Sequence, residues 1–138
     1  MKHFLTLILA LLPASGFACS CLYQPLEKNV ENSKNIYLGV LISSRIVIPE
    51  SKDKWPYIEG TFKVETEIKG NLSKIEKIHT MFGGGDCGIP MTTGRAYVIF
   101  SEGEDSLIGS CGGSGEVQRY EEKEVVEKLK SIVSAQKP

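Results

Sequence analysis

Four cysteines constrain the fold of this chain more than any other feature. Cys19 and Cys21 lie close together, Cys87 and Cys111 lie far along the chain, and all four follow an apolar leader. An even number of cysteines in an exported chain favours two disulfide bridges. A bridge between Cys19 and Cys21 would close a strained loop. We therefore expect each of these two cysteines to pair with a distant one, which leaves two pairings open.

Residues 1–18 have the layout of a secretory signal peptide. A basic start precedes an apolar run from Phe4 to Leu12 and a small-residue end. The run is shorter than the roughly 20 apolar residues that a membrane span requires. We expect signal peptidase to cleave between Ala18 and Cys19. Residues 19–138 then form one domain that is secreted or periplasmic.

Cys19 raises a second possibility, because a cysteine that directly follows an exported leader can be lipidated. Lipoprotein leaders usually carry Leu three positions before that cysteine and a small residue two positions before it. This leader has Gly16 and Phe17 at those positions. Ordinary cleavage is therefore the favoured interpretation, and we expect no membrane attachment unless Cys19 is lipidated.

The charge balance argues against two classes of partner. Lys2 leaves with the leader, so 15 Lys and Arg face 17 Asp and Glu in the mature segment, a net charge of −2. Nucleic acids and anionic membrane surfaces both require clustered Lys and Arg. We therefore expect neither as a partner, and we expect a monomer.

The cysteines lack the spacing of a structural zinc site. Such sites use close pairs of ligands from both halves of the site. Cys87 and Cys111 are 24 positions apart, and His79 is alone in the mature segment. We expect the protein to hold no metal of its own and no cofactor.

The mature segment also lacks a recognisable catalytic set. Hydrolysis needs a nucleophile with a base, paired carboxylates, or metal ligands around an open position. His79 falls within a predicted strand and is interpreted as a surface strand residue. Gly83–Gly85 lacks the Gly-Lys-Ser/Thr ending of a phosphate loop and is followed by Asp86, which would repel phosphate. We therefore predict that the protein is not an enzyme.

Alternating hydrophobicity predicts five short strands. The even positions of the first, apart from Ser44, are apolar, which predicts one long or bent strand with a buried face. The second alternates apolar or Thr residues with charged ones. The predicted strands are Ile36–Ile48, Thr61–Lys69, Ile75–Phe82, Tyr97–Phe100 and Leu107–Ser110. Five strands with turn signals between them are typical of a small barrel or sandwich.

Two segments outside the strands have helical character. Tyr120–Ala135 carries apolar residues at helical spacing, with acidic residues early and basic residues late. This pattern predicts an amphipathic helix that docks on the sheet. Glu27–Asn35 is polar and predicts a short helix or a loop. The expected fold class is therefore mainly β, with a C-terminal amphipathic helix and a short N-terminal helix.

The order and spacing of the cysteines resemble one known family. The start Cys19-Ser20-Cys21, the step Cys87-Gly88 and the later Cys111 are similar to the N-terminal domain of the tissue inhibitors of metalloproteinases (TIMPs), within the netrin-like group. The similarity covers nearly all of the mature segment. It continues through Phe62–Val64, Lys69-Gly70, Ile75–Thr80 and Tyr97–Ile99.

The resemblance implies a fold and a disulfide pattern. Members of the family have a five-stranded OB-fold-like barrel. Their first cysteine pairs with the one in the Cys-Gly step, and their second pairs with a later cysteine. For this chain the resemblance implies that Cys19 pairs with Cys87 and that Cys21 pairs with Cys111.

The resemblance also implies a mode of action. In the family, the α-amino group and carbonyl oxygen of the first cysteine chelate the catalytic zinc of a protease. That residue is Cys19 here, and the implied partner is a zinc metalloprotease. An α-amine has a pKa of about 8, so it can lose its proton near neutral pH and become a ligand. The implied contacts with the protease pocket are Ser20, Cys21, Gly85 and Asp86.

The sequence departs from the family in ways that leave an alternative open. The third bridge of the family domain is absent, and Gly85-Asp86 replaces a more apolar contact edge. The alternative is a netrin-like protein-binding module of the cell envelope, with or without lipidation at Cys19, that has no inhibitory activity.

Overall fold

A computed structural model describes residues 19, 21–22, 24–103 and 105–137. The predicted signal peptide lies outside the described residues. The described part of the chain forms six β-strands and two α-helices, in the order α1 (Leu26–Asn32), β1 (Asn35–Val47), β2 (Tyr57–Lys69), β3 (Ile75–Thr80), β4 (Ala96–Ser101), β5 (Leu107–Ile108), β6 (Gly115–Val117) and α2 (Glu122–Ala135).

The six strands form one sheet in the order β5-β3-β2-β1-β4-β6. β5 pairs with β3 in parallel, and the other neighbouring strands pair antiparallel. The two edge strands, β5 and β6, follow one another in the chain and are separated only by residues 109–114. β5 also contacts β4. The sheet therefore curls into a half-barrel whose two edges are joined by a short connection.

The mainly β architecture with two flanking helices confirms the coarse prediction, but the structure has six strands where the sequence predicts five. The additional strand is β6, a three-residue segment that pairs with β4 through Val117 opposite Ala96 and Gly115 opposite Val98. Gly-Glu-Val is too short to show alternation, so its strand conformation depends on pairing with β4.

The concave side of the half-barrel holds one of two apolar cores. Phe62 from β2 packs edge-on against Tyr37 and Tyr97, with ring centroids 6.4 and 5.6 Å apart. All three residues are fully or almost fully buried. Burying one large apolar side chain contributes about 1.5–3 kcal/mol. This core therefore contributes to holding β1, β2 and β4 together.

The second core lies between the sheet and the two helices. Leu129 of α2 is buried in it together with Val30 of α1 and Val98 and Phe100 of β4. Four further apolar residues of α2 are partly buried against it, namely Val125, Val126, Ile132 and Val133. The predicted amphipathic helix is confirmed, and it docks on the sheet as expected.

The predicted buried face of the first strand is only half correct. The strand runs over Asn35–Val47, and its buried positions lie in the first half. Ile46 and Ile48 are 63% and 77% exposed. β4 pairs with β1 only as far as Val40, so beyond that point β1 is an edge strand that pairs with β2 alone, and Ile46 and Ile48 stay uncovered.

Candidate functional site

Two disulfide bridges attach residues 19 and 21 to one end of the half-barrel. Cys19 is bonded to Cys87 and Cys21 to Cys111, with Cα atoms 5.3 and 5.2 Å apart. These are the pairs that the family resemblance implies. We call the two bridges together the cysteine clamp.

The two bridges of the cysteine clamp contact each other. The Sγ atom of Cys19 lies 3.8 Å from the Sγ atom of Cys111 and 3.7 Å from the hydroxyl oxygen of Ser110. Residues 19 and 21 are therefore held against one compact surface, on which the segments around Cys87 and Cys111 lie side by side.

The segment before Cys87 is organised by the carboxylate of Asp86. After β3 the chain makes a single 3₁₀ turn over Gly84–Asp86. Asp86 Oδ1 accepts hydrogen bonds from the backbone amides of Gly83 (2.7 Å) and Gly88 (3.1 Å), and Oδ2 accepts one from Phe82 (3.0 Å). The carboxylate of Asp86 thus stabilises the loop that contains it.

The pKa of Asp86 reflects two opposing effects. Loss of water around the carboxylate raises the pKa, while the hydrogen bonds from the amides of Gly88, Gly83 and Phe82 lower it. The net pKa lies below the ordinary value of an aspartate. Asp86 is therefore ionised at neutral pH, which is the state that its three amide donors require.

Gly88 makes the tight loop possible. A Cβ atom at this position would overlap the carbonyl group of Met81 and crowd the amide of Gly83. Cys87 itself adopts a left-handed conformation with φ of 62°. The Cys-Gly step is therefore the point at which the chain reverses after β3.

The predicted site residues that the structure describes lie at this end of the molecule. Cys19 is half-buried, whereas Cys21, Gly85 and Asp86 are exposed. Because Asp86 directly precedes Cys87, which is bonded to Cys19, the 3₁₀ turn lies next to the cysteine clamp. Ser20 and the cleavage position after Ala18 lie outside the described residues.

A groove of about 510 Å³ lies behind the second bridge. Its lining includes Gln24, Phe100, Glu102 and Cys111. Glu102 is the one ionisable side chain in the lining given by the described residues, so the groove itself supplies no acid–base pair. No local sequence pattern indicates this groove, because its lining residues come from segments far apart in the chain.

His79 does not have the environment that the sequence suggests. It lies in β3 as expected, but its side chain is only 17% exposed, and it faces the carboxylates of Glu59 and Asp105. No local sequence pattern indicates this cluster, because it forms through the register of β2 with β3 and the docking of the Asp105 segment on β3.

The structure bears on the cellular compartment as well. Two disulfide bridges indicate an oxidising, extracytoplasmic environment. Within the described residues, no helix is long and apolar enough to cross a membrane. The sequence matches no protein-family model and no curated protein.

Proposed function

We propose that the mature protein is an exported inhibitor of a zinc metalloprotease and acts through the α-amine and carbonyl oxygen of Cys19, in the manner of the TIMPs. The observation that carries this proposal is the cysteine clamp. It holds Cys19 at one end of the half-barrel, and cleavage after Ala18 would make Cys19 the first residue.

The clamp supports this proposal because chelation by a chain terminus needs a terminus that is already ordered. A free N-terminal segment loses conformational entropy when it binds, and this loss subtracts from its affinity. Cys19 and Cys21 are each bonded to a distant part of the domain, so little of this entropy remains to be lost. The amine then only has to lose its proton to become a ligand.

The strand pairing supports an OB-type barrel as the scaffold. A meander of three antiparallel strands, a parallel pairing of β3 with β5 and a pairing of β1 with β4 are the connections that such a barrel needs. In this proposal β5 and β6 are two parts of one interrupted strand. Cys111 lies in the interruption, so the second bridge anchors Cys21 at the seam of the barrel.

The 3₁₀ turn is the proposed second contact with the protease. Gly85 and Asp86 are exposed beside the clamp. Since both oxygens of the Asp86 carboxylate accept hydrogen bonds within the loop, we expect Asp86 to hold the loop in shape more than to bind a cation of the protease. The target should therefore offer a polar or neutral rim to this loop.

The test compares two chains that differ by one residue. Residues 19–138 and the same chain with an alanine added before Cys19 are assayed against a panel of zinc metalloproteases. We expect the first to inhibit at one-to-one stoichiometry and the second to be at least about 100-fold weaker, since losing both zinc contacts removes more than about 2.8 kcal/mol. Equal melting temperatures show that the added alanine leaves the fold intact.

The alternative, a netrin-like binding module, predicts a different result. If neither chain inhibits any protease in the panel, or if both inhibit equally, the amine of Cys19 is not the zinc ligand and the proposal fails. The intact mass of the exported protein gives an independent check, because lipid attached to Cys19 would block the chelating amine.

A further inference from the structure

A second cluster of potential ligands lies on the outer face of β2 and β3. The Nε2 atom of His79 lies 3.5 Å from Oε2 of Glu59 and 3.5 Å from Oδ1 of Asp105. One ligand atom from each of the three residues lies within 4.8 Å of the other two. Nε2 is buried and has no hydrogen-bond partner among the described residues.

The backbone holds all three residues in place. Glu59 and His79 are direct cross-strand partners in the pairing of β2 with β3. The amide of His79 donates to the carbonyl of Ser106 at 2.9 Å, and the amide of Asp105 donates to the carbonyl of Lys77 at 3.1 Å. These two bonds bring the segment before β5 against β3, so Asp105 reaches the histidine without a flexible loop between them.

The imidazole is also fixed from the side. The ring of Tyr57 packs on the ring of His79, with centroids 4.4 Å apart and an angle of 43° between the planes. Because the ring is held in place, its Nε2 atom stays close to the carboxylates of both Glu59 and Asp105.

The distances agree with a tetrahedral zinc site. Donor atoms about 2.0–2.2 Å from one tetrahedral ion lie about 3.3–3.6 Å apart, and both distances from Nε2 fall in this range. An imidazole ligand favours zinc over calcium and magnesium, which take oxygen ligands. We propose that Glu59, His79 and Asp105 bind one Zn²⁺ ion and leave its fourth position open to water.

The two carboxylate oxygens of Glu59 have different partners. The guanidinium of Arg45 donates from Nε to Oε1 at 2.9 Å, and Nζ of Lys77 lies 3.9 Å from the same oxygen. Oε2 is the oxygen that faces His79. Arg45 therefore orients the carboxylate, while its positive charge and that of Lys77 oppose a cation and keep the affinity moderate.

Access to the site comes from the side of Asp105. The side chain of Glu59 is 11% exposed and that of Asp105 is 58% exposed. An ion can therefore reach Nε2 if the carboxylate of Asp105 first moves away from the imidazole, and Asp105 can then bind the ion. The site shares no residue with the cysteine clamp. It takes up zinc from solution, whereas the amine and carbonyl oxygen of Cys19 are proposed to bind the zinc of another protein.

The first experiment titrates ZnCl₂ into residues 19–138, without an affinity tag, by isothermal titration calorimetry. We expect one saturable site per chain. His79→Gln and Asp105→Asn should each weaken binding at least about tenfold, because even changes to residues that only support a metal ligand cost 10–100-fold. Glu65→Gln, which removes an exposed carboxylate of β2, is the matched control and should bind as the parent chain does.

Two further variants sharpen the result. Lys77→Met should raise the affinity several-fold, because it removes a positive charge beside Glu59. The chain with an alanine before Cys19 should bind zinc as the parent does, so loss of protease inhibition and loss of zinc binding are separate outcomes. Asp105→Asn carries the test if His79→Gln does not fold, since the side chain of Asp105 is largely exposed.

The second experiment uses the fact that His79 is the single histidine of residues 19–138. Its imidazole nitrogens give one set of NMR signals. We expect ZnCl₂ to shift the Nε2 signal and MgCl₂ at the same concentration to leave it unchanged. An unshifted imidazole signal, absence of saturable binding, or equal binding by His79→Gln would overturn the zinc site.

Discussion

The carbonyl oxygen of Cys87 accepts a hydrogen bond from the backbone amide of Ser110, and the two atoms lie 2.8 Å apart. This bond joins the segment that holds Cys19 to the turn that holds Cys21, because Ser110 directly precedes Cys111. The cysteine clamp is therefore one connected unit, and a change on either side of this bond should affect both bridges.

The close approach of these segments depends on Gly109. A Cβ atom there would lie 2.7 Å from the carbonyl oxygen of Cys87. We expect Gly109→Ala to lower the free energy of unfolding by about 1–3 kcal/mol in urea denaturation, as overpacked positions do. Gly112→Ala in the same turn is the control, because its Cβ would meet nothing closer than 3.7 Å. Equal stability of the two variants would contradict the tight contact.

The two bridges are close enough to exchange partners. In Cys87→Ser the freed thiolate of Cys19 lies near the sulfur of Cys111, 3.8 Å away in the parent structure. It can attack that sulfur, so that a Cys19–Cys111 bond forms, the Cys21–Cys111 bond breaks and Cys21 leaves as a thiolate.

We therefore expect non-reducing peptide mapping of Cys87→Ser, after thiols are alkylated, to find both Cys19–Cys111 and Cys21–Cys111 linkages. The variant that combines Cys19→Ser with Cys87→Ser is the control, and it should contain the Cys21–Cys111 linkage alone. A single linkage in Cys87→Ser as well would show that the sulfur atoms do not meet in solution.

The Asp86 loop should make stability depend on pH in the acid range. The pKa of Asp86 is below its ordinary value of 3.8 in the folded protein, so its contribution is complete above that value and is lost as the pH falls through the folded pKa. Asp86→Asn keeps one oxygen for Gly83 and Gly88 but turns an amide group toward the donor of Phe82.

We expect Asp86→Asn to melt at a lower temperature than the parent at pH 7, with the difference shrinking as the pH is lowered below 3.8. Differential scanning calorimetry over this range checks it. Gly85→Ala, next to Asp86 in the turn, should keep the pH dependence of the parent. A difference between Asp86→Asn and the parent that stays constant with pH would mean that the charge of Asp86 does not hold the loop.

Local pattern predicted the elements that have one covered face. From Phe62 to Ile68, β2 alternates between covered and exposed residues, because the side chains on one face pack into the two cores. α2 shows helical spacing because one stripe faces the sheet. The same reasoning failed in the second half of β1. Alternation at Ile46 and Ile48 is present in the sequence, but whether a layer covers those residues is decided by where β4 ends.

The candidate sites differ in how far the sequence could predict them. Cysteine spacing alone left two pairings open, and only the family resemblance selected Cys19 with Cys87. The Glu59, His79 and Asp105 cluster had no signal, since it needs the cross-strand register of β2 with β3 and the backbone bond between Asp105 and Lys77. Contacts that depend on strand pairing or on the packing of a loop against a strand arise only when the whole sheet forms.

Two buried tyrosines in the half-barrel core should respond in opposite ways to the loss of a hydroxyl group. The hydroxyl of Tyr97 donates to the carbonyl of Pro90 at 3.0 Å and accepts from the amide of Thr92 at 2.8 Å. The hydroxyl of Tyr37 is buried without a hydrogen-bond partner among the described residues. Burial, and then the nearby carboxylate of Glu76, raise the pKa of Tyr37, so this hydroxyl stays neutral.

Both changes to phenylalanine keep the ring and its packing, so they isolate the hydroxyl. Tyr97→Phe removes the hydrogen bonds to the amide of Thr92 and the carbonyl of Pro90 and should lower the free energy of unfolding by about 1 kcal/mol in urea. Tyr37→Phe removes a polar atom whose burial is not compensated, so the free energy of unfolding should be unchanged or up to about 1 kcal/mol higher. If Tyr37→Phe instead destabilises the protein as much as Tyr97→Phe does, the hydroxyl of Tyr37 has a hydrogen-bond partner in solution. A water molecule buried in the half-barrel core would be such a partner.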